Sequence, residues 1–442
     1  MTTATAVVRG LSRLEPQPNS DHPAWLTEAR LAACGWVAEH GFPTLKDEDW
    51  RYTRLGPILD IPFEPAAAGV GHRLSSSAID ALAADLCGTR LVFVNGHFAP
   101  ELSWLAELPE GATVTNLASV LAEEAERLEP LFSRPPGPHH HAFTALNAAL
   151  TEDGAFVHLR AGTTVGEPIE LVFFSDTGGS PLVSSPRSLV LAGPSSRVAI
   201  VETYVGVPGD IYCTNAVTEV VVEEGAAVEH YKVQDEPETA FHLALLDVRQ
   251  GRGSTFSSHS VALGSRVARH EVRVRLEAEG AEVRVDGLYM PRGDQYHDNP
   301  ILIEHAAPHC TSRQLYKGVL DGNGQGVFNG RVVVCPGAAG TDASQTNKNL
   351  LLSDHAEVDT RPRLEILADD VKCTHGAAVG RLDEDAVFYL RSRGIPHQAA
   401  RGLLIYAFVN EIVERLGLEP LRALVGKLVA HRLATRGDEV QT

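Results

Sequence analysis

GPSSRVAIVET (193–203), EEGAAVEHYKV (223–233), GRGSTFSSHSV (251–261) and AEGAEVRVDGL (278–288) share one design: a turn of small residues followed by a short strand of alternating character. The turns centre near Ser195, Gly225, Gly253 and Gly280, in steps of about 27 to 30 residues, a period that indicates stacked structural repeats. A unit of this size cannot bury the apolar face of its own strand, but the next coil stacked upon it can. The pattern continues less evenly in DGNGQGVFNGRV near Gly324 and SDHAEVDTRPRL near His355. With one longer coil allowed before Gly324, about six or seven units are expected between Ala155 and Val379. The spacing fits a mainly β chain, either a β-helix or an irregular β-sandwich.

Outward from this core the periodicity changes. Trp25 to Glu39 sets Leu26, Ala29, Ala33 and Trp36 or Val37 at helical intervals, and Ser75 to Leu86 and Asn116 to Leu128 also read as helices. Leu91 to Asn95 reads as a strand ended by Gly96, so residues 1–150 form a mixed α/β N-terminal domain. SRPPGP (133–138) is a loop or boundary, followed by His139, His140 and His141. Three consecutive histidines cannot face one point, which favours a solvated turn over a metal site. The repeats occupy 151–380. Residues 381–442 form a helical domain: Leu382 to Arg393 opens on Asp383, Glu384 and Asp385, which suit a helix N-terminus, and Gly394 stops it. After Pro396, an apolar stripe of Leu403, Leu404, Ala407, Phe408, Val409, Ile412 and Val413 reaches Leu416, and a last helix spans Leu421 to Leu433. The stripe serves either as core or as a docking surface for a partner.

Composition excludes several classes. With 442 residues, 44% hydrophobic and 21% charged, the chain can bury a core and exceeds the size of one ordinary compact domain. A formal charge of −19, from 57 acidic against 38 basic residues, opposes binding to nucleic acid or anionic lipid. Cys34, Cys87, Cys213, Cys310, Cys335 and Cys373 show no CxxC spacing and fit reduced thiols. The start carries no leader pattern and no long apolar run occurs, so a soluble cytoplasmic protein is expected. No GxxxxGK(S/T) phosphate cradle is present, so no ATP site is expected in this chain. GxSxG, HExxH and a dinucleotide-binding GxGxxG are likewise missing.

The chemistry concentrates in TDASQTNKNLLLSDHAEVDTRPRLEILADDVKCTHGAAVGRLDEDAVFYLRSRG (341–394). Cys373 and His375 stand two apart in a strand and share one face, and thiolate and imidazole suit iron, zinc or an iron–sulfur unit. Two donors underfill a site. On the residues alone two readings stay open: a second protein supplies the remaining ligands, or the pair is buried and structural. EHAAPHC, with Glu304, His305, His309 and Cys310, matches no zinc spacing and reads as structural. The remaining cysteines read as packed small hydrophobes. An alternative function is a β-helical carbohydrate-active enzyme using carboxylates such as Asp369 and Asp370, although neighbours on a strand point opposite ways.

Three ordered blocks carry a resemblance: GFPTLKDEDWRYT (41–53), PHCTSRQLYKGVLDGNGQGVFNG (308–330) and the 341–394 string. Together they resemble the SufB/SufD family of the SUF iron–sulfur cluster assembly system, its SufD members in particular. The resemblance implies a right-handed parallel β-helix, with the C-terminal helices binding a SufC-like ABC ATPase. It implies a non-catalytic scaffold that pairs with a SufB-like homologue as a heterodimer, or with itself as a homodimer when isolated. It places a transient iron–sulfur cluster or iron, shared with SufB, at His375 in the KCTHG run and less firmly at Cys373. On the helical stripe, Leu403, Leu404, Phe408 and Ile412 become the partner-binding residues. Tyr316 and Lys317 carry only a packing role.

Overall fold

Strands rich in Val, Ile, Phe and Tyr, covered on both faces, are what a parallel sheet requires. A computed structural model of the chain describes residues 23–69, 86–132 and 141–434, together with residues 11, 79 and 84. The helix expected at 75–86 lies almost wholly outside these residues, as do SRPPGP, His139 and His140. From Arg187 onward every strand pairs with parallel neighbours, and successive strands alternate between two sheets. Each coil gives one strand to each sheet, from Ala155–Leu159 and Ile169–Ser175 to Glu357–Ile366 and Lys372–Arg381. The parallel β-helix is therefore borne out.

Register is uninterrupted across the stack. In the first sheet Val190, Val220, Val248, Val274, Ile303, Val332 and Leu364 stand one above another, and all but Leu364 are fully buried. A slip of one residue would turn this whole column outward.

One corner repeats a single backbone device. Gly162, Ser195, Gly225, Gly253, Gly280, His309, Gly340 and Asp370 all adopt left-handed φ, between 54° and 73°. The N–H of each of the first seven donates to a carbonyl one coil further on, from Gly162 to Pro194 and so on to Gly340 with Asp370, at 2.7 to 3.3 Å. Glycine is the default in this conformation because a Cβ costs about 1–2 kcal/mol. At His309 and Asp370 that signal is missing. The turns near Gly324 and His355 lie at another corner, leading from the second sheet back to the first, so the apparent longer coil is about one coil and a half, and with the first coil at Gly162 the described stack has eight coils rather than six or seven.

The outer faces are covered from opposite ends of the chain. Trp50, Leu55, Ile58, Phe63, Phe143 and Leu146 pack on Cys213, Phe241, Leu243 and Val267 of the first sheet. Ala24–His40 confirms the first expected helix, and the segment read as helix from Asn116 to Leu128 is helical from Leu117, as two helices, Leu117–Glu123 and Ala125–Phe132, after the strand Ala112–Asn116. At the C-terminal end Glu384–Ser392, His397–Val413 and Glu419–Ala434 are helical. The Asp383 carboxylate accepts from the N–H groups of Asp385 and Ala386 at the start of the first of these, as the acidic run predicts. The last two lay Val409, Ile412, Val413, Leu421, Val425 and Val429 on Val201, Tyr231, Val233, Val261 and Leu288 of the second sheet.

Polar ties fix this docking. Arg415 Nη1 reaches both oxygens of the buried Asp286 carboxylate at 3.1 Å, and Arg432 Nε donates to the Met290 carbonyl at 2.9 Å. Burial pushes the Asp286 carboxyl up and Arg415 pulls it back towards ionisation. Arg415→Ala should strand that carboxylate and cost about 2 kcal/mol, discounted because the arginine is partly exposed. Urea unfolding followed by circular dichroism measures it.

Candidate functional site

The last coil ends both sheets: Glu357–Ile366 is the terminal strand of one and Lys372–Arg381 of the other. Alternation along Lys372–Arg381 directs Cys373 and His375 to the inner side of the stack, in register with Ala343 and Gln345. Ala343 and Gln345 are buried because a further coil covers them. Past the final coil none of the described residues does so. Cys373 is half-buried against Val332, Val334, Ala338 and Ala343, while His375 is exposed. A fully buried structural pair is thus excluded, and the imidazole stands on an open rim with the thiol behind it.

Burial pushes the Cys373 thiol up, opposed in part by the Ala343 N–H. The thiol is therefore mainly protonated at neutral pH until a cation or partner group comes near. Among the described residues no three His, Cys, Asp or Glu side chains come together to hold a metal ion. The chain presents donors of the right type on a face able to meet another molecule.

The lining of the stack turns polar towards this end. Gln345, Asn347 and Asn349 point inward and are buried; Gln345 Nε2 donates to Gln314 Oε1 at 2.5 Å and Asn347 Nδ2 to the Tyr316 carbonyl at 3.2 Å. Tyr289 donates its hydroxyl to Asn349 Oδ1 at 2.5 Å. The alternation S-Q-T-N-K-N in 344–349 is the signal that could have marked this polar lining.

The N-terminal block around Trp50 ties to the same region. Glu48 pairs with Arg361 and Arg363 of the last coil, the Arg269 guanidinium lies 3.8 Å from the centre of the Trp50 ring, and Thr53 donates to Asp298 at 2.5 Å. His141 is no solvated turn: its Nε2 lies 3.1 Å from the Glu271 carboxylate. Burial works against that carboxylate, yet Arg273, His141 and Arg269 hold it well below the usual range. Nothing in local spacing marks this cluster, whose members are drawn together only by the fold.

Other residues singled out in the sequence do not assemble. His305 is buried with its Nε2 2.8 Å from Ser312 Oγ, Cys310 is buried, Glu304 pairs with Arg275 at 3.2 Å, and His309 forms the corner. Asp369 and Asp370 lie exposed on a bend. Along His397–Val413, Leu403 is 52% exposed, Leu404 and Phe408 are half-buried, and Ile412 is fully buried in the core. Ile412 therefore anchors the helix and cannot meet a partner, whereas Phe388, Tyr389 and Tyr406 are exposed like Leu403. Lys317 is more than packing, since its Nζ lies 2.5 Å from Glu411 Oε2 and donates to the Phe408 carbonyl at 2.6 Å.

Comparison with known proteins gives the family. Residues 173–408 match the family described as SUF system FeS cluster assembly, SufBD core domain, and residues 17–171 match the SufBD protein N-terminal region. An iron–sulfur cluster assembly SufBD family protein of Synechocystis is 34% identical over 411 residues, covering 91% of this chain and 89% of that one. The iron–sulfur cluster assembly protein SufD of Escherichia coli is 33% identical over 395 residues, covering 89% and 90%. Its namesake in Bacillus subtilis is 26% identical over 420 residues, covering 93% and 94%.

The raised Cys373 thiol makes a measurable difference. Its alkylation by iodoacetamide, followed on the peptide by mass spectrometry, should stay slow near neutrality and accelerate with pH beyond about 8.5, the ordinary cysteine value. A rate already at its plateau near neutral pH would show a low-pKa thiolate instead.

Proposed function

The chain belongs to the SufBD family of iron–sulfur cluster assembly proteins, and from that premise we propose that it is the SufD-type, non-catalytic scaffold subunit of a SUF complex. It pairs with a SufB-like homologue through its last coil and carries a SufC-like ABC ATPase on its C-terminal helices. The iron–sulfur cluster is cargo, built transiently at the interface with SufB, with His375 as a labile ligand and Cys373 beside it. The observation that carries this reading is the open final coil: two ten-residue strand edges with an exposed imidazole on the rim.

Free strand edges are templates for pairing with another chain, and a homologous stack brings edges of the same kind. In the absence of SufB the same edges pair two copies into a homodimer. A site divided between chains releases its cargo when the interface shifts, which a closed cage of four cysteines would resist. The ATPase docks over Phe388, Tyr389, Leu403 and Tyr406. Through Lys317–Glu411 and Arg415–Asp286 its movement pulls on the stack itself rather than on a loose tail. Cysteines scattered without CxxC spacing accord with the cytoplasm. No described helix is long and apolar enough to cross a membrane.

Anaerobic co-expression with SufB-like and SufC-like partners tests the proposal. A stable three-component complex is expected, and His375→Ala should leave its assembly intact while lowering cluster transfer to an apo-ferredoxin by more than about tenfold. Transfer at the unaltered rate would remove His375 from the site.

A further inference from the structure

The last coil is held differently from those before it. Inner strands of the first sheet are paired on both sides, whereas Glu357–Ile366 has a strand neighbour on one side only among the described residues. A terminal unit of a repeat stack loses half of its neighbour contacts, which is why such stacks carry caps. A cap laid across the outer edge would bar that edge to a partner. Here the support comes from the side.

Val267–Leu276, Tyr296–His305, Gln325–Val334 and Glu357–Ile366 are consecutive in the first sheet, and one short turn of the N-terminal block, Glu48–Trp50, with Tyr52 and Thr53 after it, reaches from the first two to the last. Its inner end is buried: the Arg269 guanidinium lies over the Trp50 ring and pairs with Asp298, which also accepts from the Thr53 hydroxyl. Its outer end meets the last coil. Glu48 Oε1 pairs with Arg363 Nη1 and lies 3.7 Å from Arg361 Nη2, and the Arg361 guanidinium is 5.7 Å from the centre of the Tyr52 ring. Between the two ends Asp49 lines one cleft with Arg331 and Arg363. The turn is preset, because Asp47 Oδ2 accepts from both the N–H and the hydroxyl of Thr44, at 2.7 and 3.0 Å.

We propose that Glu48–Thr53 is a lateral cap: it holds the last coil in place from the outer face of the first sheet and leaves the outer edges of both sheets free for a partner. An edge that is already ordered costs a partner less to bind. The Glu48 side chain is 63% exposed, so its hold is modest and screened by salt, whereas the buried Trp50 anchor is not. The benefit to pairing rests on the reading of the rim as an interface; the hold itself does not.

Hydrogen exchange of the full chain, read by mass spectrometry, tests it. Glu357 and Leu367 donate their N–H groups to Gly324 and Val334 of the preceding coil, so alternation turns the amides of Asp359, Arg361, Arg363 and Glu365 the same way. In Glu48→Gln these amides should exchange about three- to fivefold faster at low salt, with peptides of Tyr296–His305 unchanged. Salt at about 1 M should close most of the gap between the two proteins. Equal exchange at low salt, a gap indifferent to salt, or faster exchange spread evenly over the stack would each overturn the proposal. In an Arg361→Gln, Arg363→Gln background, adding Glu48→Gln should change nothing more. A full further effect there would place the carboxylate's action elsewhere and overturn the cap too. An intact hold in a protein whose rim pairs with no homologous stack would refute the interface reading and leave the cap standing.

Discussion

Every coil here depends on the next one for burial. A strand such as Phe241–Gln250 has apolar residues on both faces, and neither can be satisfied within its own coil. Burying one Val or Ile gains about 1.5–3 kcal/mol, and the column from Val190 to Leu364 repeats that gain at each level. Coil-on-coil contact therefore sets the register, the register sets the corner, and the corner fixes which residues adopt left-handed φ. It also defines the site negatively, because the rim is where the covering coil runs out.

The stack is not uniformly apolar within. Burial works against the Glu202 carboxyl, yet His230, Lys232 and the Thr218 hydroxyl together bring it down to about 2. Burial in turn lowers Lys232 to about 8 despite Glu202 and Glu236. Such groups hold a unique arrangement only when their neighbours do not shift. The flanking elements share this character: Lys317–Glu411 joins the helices to one sheet, and Arg269 with Trp50 and Asp298 joins the N-terminal block to the other.

Much of this was readable from residue order, and the failures have physical causes. The repeat was visible at the corners of Ser195, Gly225, Gly253 and Gly280, and went unread at Gly162 and Gly340 although glycine stands there too. It faded at His309 and Asp370, where the stack forces the same φ on residues that do not advertise it. The spacing of Cys373 and His375 placed them on one face, but exposure depends on where the coils end, which no local pattern encodes. Ile412 was misassigned for the same kind of reason: a broad apolar stripe does not say which part of its width meets the sheet. The cluster of Thr53, His141, Arg269 and Glu271 is drawn from about half the length of the chain and needed the fold to bring it together.

The two ends of the tower are unlike. At the beginning, the sheets finish on the antiparallel strands Ala112–Asn116 and His97–Phe98, the latter only two residues long. At the other end, two full-length parallel strands close the sheets with no further strand among the described residues. Subunits that were sticky at both termini would polymerise into fibres, as exposed edges do in amyloid. A stopper at one terminus would limit the proposed pairing to a single joining event, so that the asymmetry of the stack would set its stoichiometry.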